Sequence, residues 1–290
     1  MAKVIRPALQ VVLKAGGVNH EDVVIKRCGE TPAVSGLELL QENLKKLSKP
    51  KKEKKLVGFA STSVDPAANM DDVDQTAAAL ILIFKATNWD FRILSKSNLL
   101  PEIAKLVTKE SKKFKDRMIF GVSTGTLDDK LASAIEIDAP LVSKRLKSLH
   151  WLQEHGYRTF GMICPSLPQD DYDKFSSDVC KAINVDACEH VWAEPMNIRG
   201  NSINKTITAL ISAGFTKEAA ALSAVSGSGK KPVWELYAQA TFEAHTKNIP
   251  AAKLRFLHYP PASNRTKAWH VATRAWWLSR TSKGAICLSK

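Results

Sequence analysis

Short apolar runs bounded by Gly, Pro and small polar residues alternate with amphipathic stretches along most of the chain. Runs at 23–26 (VVIK), 56–60 (LVGFA), 91–94 (FRIL), in RMIFGVSTGT after residue 116, in RTFGMICPSLP from 158, at 190–193 (HVWA) and at 254–258 (LRFLH) predict strands. Short continuous runs of this kind suit strands of a parallel sheet, buried on both faces. Between them, helical spacing predicts helices over 37–47 (capped by Ser35), 71–84, 100–111, 141–155, 171–183, 204–213, 217–225 and 232–246. The run Lys-Pro-Lys-Lys at 49–52 is expected to end the first of these. Residues 1–18 read as a helix that stops at Gly16-Gly17. The tail, 269–288, reads as an aromatic helix carrying Trp276 and Trp277, then a short strand, AICL.

Strand and helix therefore alternate about six times, with connections long enough for parallel crossovers. The fold class expected is α/β, either a doubly wound sheet or a β/α barrel. No G-x-G-x-x-G follows a first strand, and Gly227-Ser-Gly-Lys230 lacks the spacing of a phosphate loop. A partial (β/α) barrel of parallel strands is the preferred architecture, with a barrel domain over 1–260 and a C-terminal helical appendage over 261–290.

Composition narrows this only in part. The net charge is +13, and two runs, 45–55 (KKLSKPKKEKK) and 105–115 (KLVTKESKKFK), carry much of it. Such a surplus favours polyanions, DNA or other nucleic acid among them, although a solvated basic surface would look the same. Both runs precede strands, so they belong to the end of the sheet opposite the one where ligands bind. The longest apolar run is too short to cross a bilayer, and the N-terminal MAKVIRPALQ lacks the apolar stretch of a signal peptide. A cytoplasmic protein without a membrane partner is expected. The five cysteines form no CxxC or CxxxCxxC, which removes the zinc and iron–sulfur signatures and suits reduced thiols.

Polar residues gather where the predicted strands end: Ser61, Thr62, Ser63 and Asp65; Ser95, Lys96 and Ser97; Ser123 and Thr124; Cys164; Glu194, Asn197 and Arg199; His258 and Tyr259. In α/β sheets and barrels that edge binds ligands. The set suits a polar ligand carrying a carboxylate with amine or hydroxyl groups. Lys96 offers a point charge to a carboxylate, Ser61 and Ser123 can bond an amine or ribose hydroxyl, and Glu194 could hold an amine or be neutralised by Arg199. A strand-end Ser or Thr also serves as a helix cap or turn former.

The order LVGFASTSVDP, FRILSKS, IFGVSTGTLDDKLASAIEIDAPLVSKRLKSLHWLQEHGYRTFGMICPSLP, EPMNIRG and ATRAWW…GAICL resembles the radical S-adenosylmethionine (radical SAM) superfamily. The branch it is most similar to contains spore photoproduct lyase and its DNA-repair-photolyase-like relatives. The resemblance runs from about Val23 onward. It implies a partial barrel that binds S-adenosylmethionine at its strand ends, and a lyase-type DNA-repair chemistry initiated by a four-iron four-sulfur cluster. It places Ser61 or Ser63 near the cofactor's amino-acid end, with Thr62 among the cofactor-binding residues, Lys96 at its carboxylate or ribose and Ser123 at its ribose. Glu194, Asn197 and Arg199 line the last strands. The family's Cys-x3-Cys-x2-Cys is absent from the sequence, so no metal ligands are assigned and the catalytic residues stay open. The expectation is that the cluster segment and first strand precede Met1, and that the polypeptide alone is inactive. Two other readings remain: a cluster-free barrel-like module binding nucleic acid or a protein partner, and a barrel enzyme using Lys96 as a Schiff-base amine.

Overall fold

The computed structural model describes residues 8–13, 22–28, 36–55, 57–60, 65–197, 202–226, 231–258, 276–281 and 284–287. In chain order these form β1 (Ala8–Leu13), β2 (Asp22–Cys28), α1 (Gly36–Lys46), α2 (Lys49–Glu53), β3 (Val57–Ala60), α3 (Met70–Ala86), β4 (Asp90–Ser95) and α4 (Leu100–Glu110). Then come β5 (Met118–Ser123), α5 (Asp129–Ile135), α6 (Val142–Glu154), β6 (Arg158–Ser166), α7 (Tyr172–Ala182) and β7 (Cys188–Pro195). The chain finishes with α8 (Ser202–Ser212), α9 (Thr216–Val225), α10 (Lys231–Asn248), β8 (Leu254–His258), β9 (Trp276–Thr281) and β10 (Gly284–Cys287). Two compact units result: unit 1 is residues 1–121 and 151–158, unit 2 is 122–150 and 159–290.

The fold is α/β with parallel pairing, as the alternating pattern predicts. In unit 1, β2 pairs parallel with β3 and β3 with β4. In unit 2, β6 with β7, β7 with β8 and β8 with β9 are all parallel. Sequential strand order with helical crossovers is the winding of a β/α barrel. All six residues of β5 are buried, the signature of a strand covered on both faces. Helices begin where short polar side chains can take up free N–H groups. Asn69 accepts from Asp72 N (3.0 Å), Asp128 from Lys130 N (2.7 Å) and Leu131 N (3.2 Å), and Asp171 from Lys174 N (2.8 Å). α8 ends into Gly214, whose φ of +84° lies in the left-handed region that only glycine adopts freely.

Three expectations change. Residues 8–13 are not helical: β1 lies antiparallel to β2, from Ala8 opposite Cys28 to Leu13 opposite Val23. Val11 and Val12 are β-branched, and pairing with the Val-Val-Ile of β2 outweighs the helix propensity of Ala8, Leu9 and Gln10. The remainder of the 1–18 prediction lies outside the described residues. Trp276 and Trp277 sit in a strand, with β9 parallel to β8 (Arg255 opposite Trp276) and antiparallel to β10. Aromatic side chains suit a pleated surface as well as a helix. The described part of the expected helical appendage is thus a strand pair. Finally, α1 stops at Lys46, ahead of the 49–52 run as expected, but the run is itself helical: Pro50 sits in the first turn of α2, where proline is tolerated.

The core of unit 1 centres on Phe84, Phe91 and Phe120, with Tyr157 edge-on to Phe120 at 5.8 Å. Unit 2 has a second apolar cluster. Leu210 (α8), Leu222 (α9), Trp234 and Ala238 (α10) pack with Leu167 and Met196, the residues just past β6 and β7. The three helices between β7 and β8 therefore lie over those strand ends.

One buried group makes unit 2 sensitive to acid. His245 on α10 is fully buried; its Nδ1 meets Ser176 Oγ of α7 at 2.9 Å, and its Nε2 has no hydrogen-bond partner among the described residues. Burial pushes its pKa down to about 4, against about 6.5 for an unfolded histidine. The unfolded chain therefore binds a proton that the folded chain refuses. Stability is complete above about pH 6.5 and falls as the pH drops toward 4. From pH 7 to pH 5 this one group should cost about 2 kcal/mol, at 1.36 kcal/mol per unit. Urea midpoints across that range should fall in the native chain and flatten in His245→Gln. Equal slopes for the two would dismiss the assignment.

Candidate functional site

The polar residues of unit 2 meet where β5, β6 and β7 end. Ser123 Oγ donates to Cys164 O at 2.8 Å, and Cys164 Sγ donates to Glu194 Oε2 at 3.1 Å. One residue from each of three successive strands is thus linked in a row. Glu194 is 7% exposed and Ser123 6%. Asn197, half-buried, follows two residues after β7.

The turn after β5 is built to hold this row. Thr124 N donates to Met162 O (2.9 Å), and Thr124 Oγ1 closes the turn on Thr126 O (2.6 Å). Thr126 Oγ1 accepts from Asp128 N (3.1 Å), which leads into the Asp128 cap of α5. Gly125 lies directly against the Pro165 backbone: a Cβ there would stand 2.0 Å from Pro165 O. The Cys164–Pro165 peptide is cis. Beneath the turn, Arg145 of α6 is 1% exposed. Its guanidinium donates to Ser123 O (3.1 Å) and Pro140 O (2.7 Å) and pairs with Glu136 at 2.6 Å.

Tyr237 closes the same edge from α10. Its hydroxyl accepts from Met196 N (2.7 Å) and donates to Ser166 O, so it bridges the ends of β6 and β7. Trp234 Nε1 donates to Met196 O at 2.8 Å. Burial, with Tyr172, Glu194 and Cys164 nearby, raises the Tyr237 phenol well above its ordinary value, against the opposing bond from Met196. It therefore stays a donor. Neither Tyr237 nor Arg145 stands out in the sequence as a site residue. The pairing of Trp234 and Tyr237 three apart reads as an apolar stripe, and their hydroxyl and indole targets lie about forty or more positions away in the chain.

In unit 1 the loop after β4 carries Lys96, which is partly exposed. Asp65 holds that loop: it accepts from Ser95 Oγ (2.5 Å), Lys96 N (2.8 Å) and Ala67 N (2.9 Å). Ser97 is turned inward and accepts from Leu99 N at 3.1 Å, a turn-forming role. Ser61, Thr62, Ser63, Arg199 and Tyr259 lie outside the described residues, as does the side chain of His258.

The three thiols whose side chains are described, Cys164, Cys180 and Cys188, do not gather as a ligand set. Among the described residues no three His, Cys, Asp or Glu side chains gather as metal ligands. Cys164 is bonded to Glu194, and Cys188 to Ile183 O at 3.6 Å. Burial pushes the Cys180 thiol up to about 11, so it is protonated at neutral pH. Among the described residues, too, no helix is long and apolar enough to cross a membrane.

The class that fold and site define is an α/β protein with polar strand ends on a parallel sheet. No protein-family model matches the chain, and no curated protein matches it.

Proposed function

We propose that the chain is a ligand-binding relative of the radical SAM proteins of the spore photoproduct lyase branch, and that it takes S-adenosylmethionine, or a nucleoside of that kind, at the strand ends of unit 2. The observation that carries this is the row Ser123–Cys164–Glu194, one residue from the end of each of three consecutive strands. A buried carboxylate at such an edge suits a cationic group, here the ligand's ammonium or sulfonium. Asn197 supplies a donor and an acceptor, and Ser123 an acceptor, for ribose hydroxyls. On this reading the polypeptide binds without reductive cleavage of its own, because the CxxxCxxC that would hold a cluster is absent from the sequence. Lys96, whose backbone Asp65 holds on the unit 1 loop, is assigned the cofactor's carboxylate or ribose by the resemblance and is tested in its own right.

Titration calorimetry with S-adenosylmethionine is the direct test. Binding in the micromolar range is expected, with Glu194→Gln weaker by about tenfold or more, a loss of about 1.4 kcal/mol. Lys96→Ala measures the second assignment separately. Anaerobic treatment with iron and sulfide should produce no cluster absorption. Absence of binding at millimolar ligand, or equal affinity in the Glu194 variant, would overturn the reading.

A further inference from the structure

The two lysine runs both join the segment before β4 in unit 1, and an aromatic face lies beside the second run. Residues 45–55 hold seven lysines and one glutamate, and 105–115 hold five lysines and one glutamate. α2, in the first run, is joined to the segment before β4: Trp89 Nε1 donates to Lys51 O (3.1 Å) and Asn88 N to Lys52 O (3.1 Å). The 3-10 turn at Lys112–Arg117, in the second run, joins the same segment. Arg117 donates to Phe84 O (2.8 Å), Thr87 O (2.7 Å) and Trp89 O (2.6 Å). Lys112 and Lys113 are exposed, as are Lys51, Lys54 and Lys55.

On the same unit, Trp151 and the exposed His155 stack at 3.8 Å with 21° between their planes, and Tyr157 lies 6.2 Å from Trp151 at 24°. Lys105 stands 4.9 Å over the Trp151 ring and Lys115 5.0 Å over Tyr157. Near-parallel rings and lysines are the two components of a single-strand platform: Lys105 and Lys115, which cover the ring faces in the free protein, would turn to the phosphates as bases stack in their place. Several of the acidic neighbours are paired with lysine or arginine, while Asp116 and Glu154 are exposed on the same unit. Glu102 pairs with Lys105 (2.8 Å), Glu110 with Lys85 (2.5 Å), and Asp90 with Arg158 (2.8 Å) and Lys55 (3.6 Å).

We infer that this face of unit 1 binds single-stranded nucleic acid, with Trp151, His155 and Tyr157 as the stacking surface and the lysines of the two runs on the phosphates. It is separate from the nucleoside reading of unit 2, and either can fail alone. The full chain is titrated by fluorescence anisotropy with labelled oligo(dT) and oligo(U) of about 12 nucleotides and a duplex of equal length. The single strands should bind about tenfold tighter than the duplex, and the oligo(dT)/oligo(U) comparison identifies DNA or RNA as the source. With about four phosphates neutralised, raising salt from about 50 to about 200 mM should weaken single-strand binding about 50-fold. Lys112→Glu with Lys113→Glu should flatten that salt slope. Trp151→Ala should weaken binding about tenfold; His155→Ala, at an exposed position, should weaken it severalfold while leaving the circular dichroism unchanged. Duplex binding as tight as single-strand binding, insensitivity to both ring variants, or displacement of oligo(dT) by phosphatidylserine vesicles would overturn the inference.

Discussion

Gly125→Ala is expected to destabilise unit 2 by at least about 3 kcal/mol and to abolish ligand binding at its strand ends. The added methyl would stand 2.0 Å from Pro165 O and 2.9 Å from Pro165 C. These are backbone atoms, so no side-chain rotation can relieve the contact. Relief requires moving the end of β6, and Ser166, next to Pro165, is tied to Tyr237 by its carbonyl and to Met196 N (3.2 Å). It would also pull Ser123 from the Cys164 carbonyl, breaking the row that leads to Glu194. A urea midpoint reads the stability and calorimetry with S-adenosylmethionine reads the site. Gly214→Ala is the contrast: nothing lies within 4 Å of a Cβ there, but φ is +84°. Its cost should be only the left-handed conformation, about 1 to 2 kcal/mol, with the site intact. If the two glycine variants lose the same amount, close packing at Gly125 is not what holds the turn.

That contact also marks where the sequence stops being readable. The strand in RMIFGVSTGT is legible because a strand covered on both faces reads as a continuous apolar run. β1 and β9 are not, because Val11-Val12 and Trp276-Trp277 fit either period until a neighbouring strand decides. At the site, the ends of β5, β6 and β7 could be predicted to carry Ser123, Cys164 and Glu194. Their connection could not: the Ser123 bond spans 41 positions, the Cys164 bond 30. The reading of Ser123 as a ligand group also leaves out that its hydroxyl proton is spent on the Cys164 carbonyl. What remains for a ligand is its acceptor capacity. Asp65 shows the same limit. As part of a strand-end Ser/Thr/Asp cluster it looks like a ligand residue, yet its carboxylate takes up three donors of its own unit and sets the Lys96 loop.

Arg145→Met is the second large effect, expected at about 3 to 5 kcal/mol. Sequence alone places Arg145 in the helix predicted over 141–155 and gives it no partner. The structure sets it at 1% exposure beside Glu136, whose side chain is 9% exposed. Removing the guanidinium strands the Glu136 carboxylate in a nearly dry setting and unbinds Pro140 O and Ser123 O. A charge without its partner there costs more than the pair contributes, since the two were desolvated together. Replacing both, Arg145→Met with Glu136→Leu, should therefore recover most of the loss, leaving about 1 to 2 kcal/mol for the abandoned carbonyls. The double-mutant cycle, measured by urea denaturation, separates the two contributions. Recovery of stability without recovery of S-adenosylmethionine affinity would assign the Arg145–Ser123 bond to positioning the site. If the double variant is no more stable than Arg145→Met alone, the ion pair is not the dominant interaction, and the carbonyl bonds of the turn are.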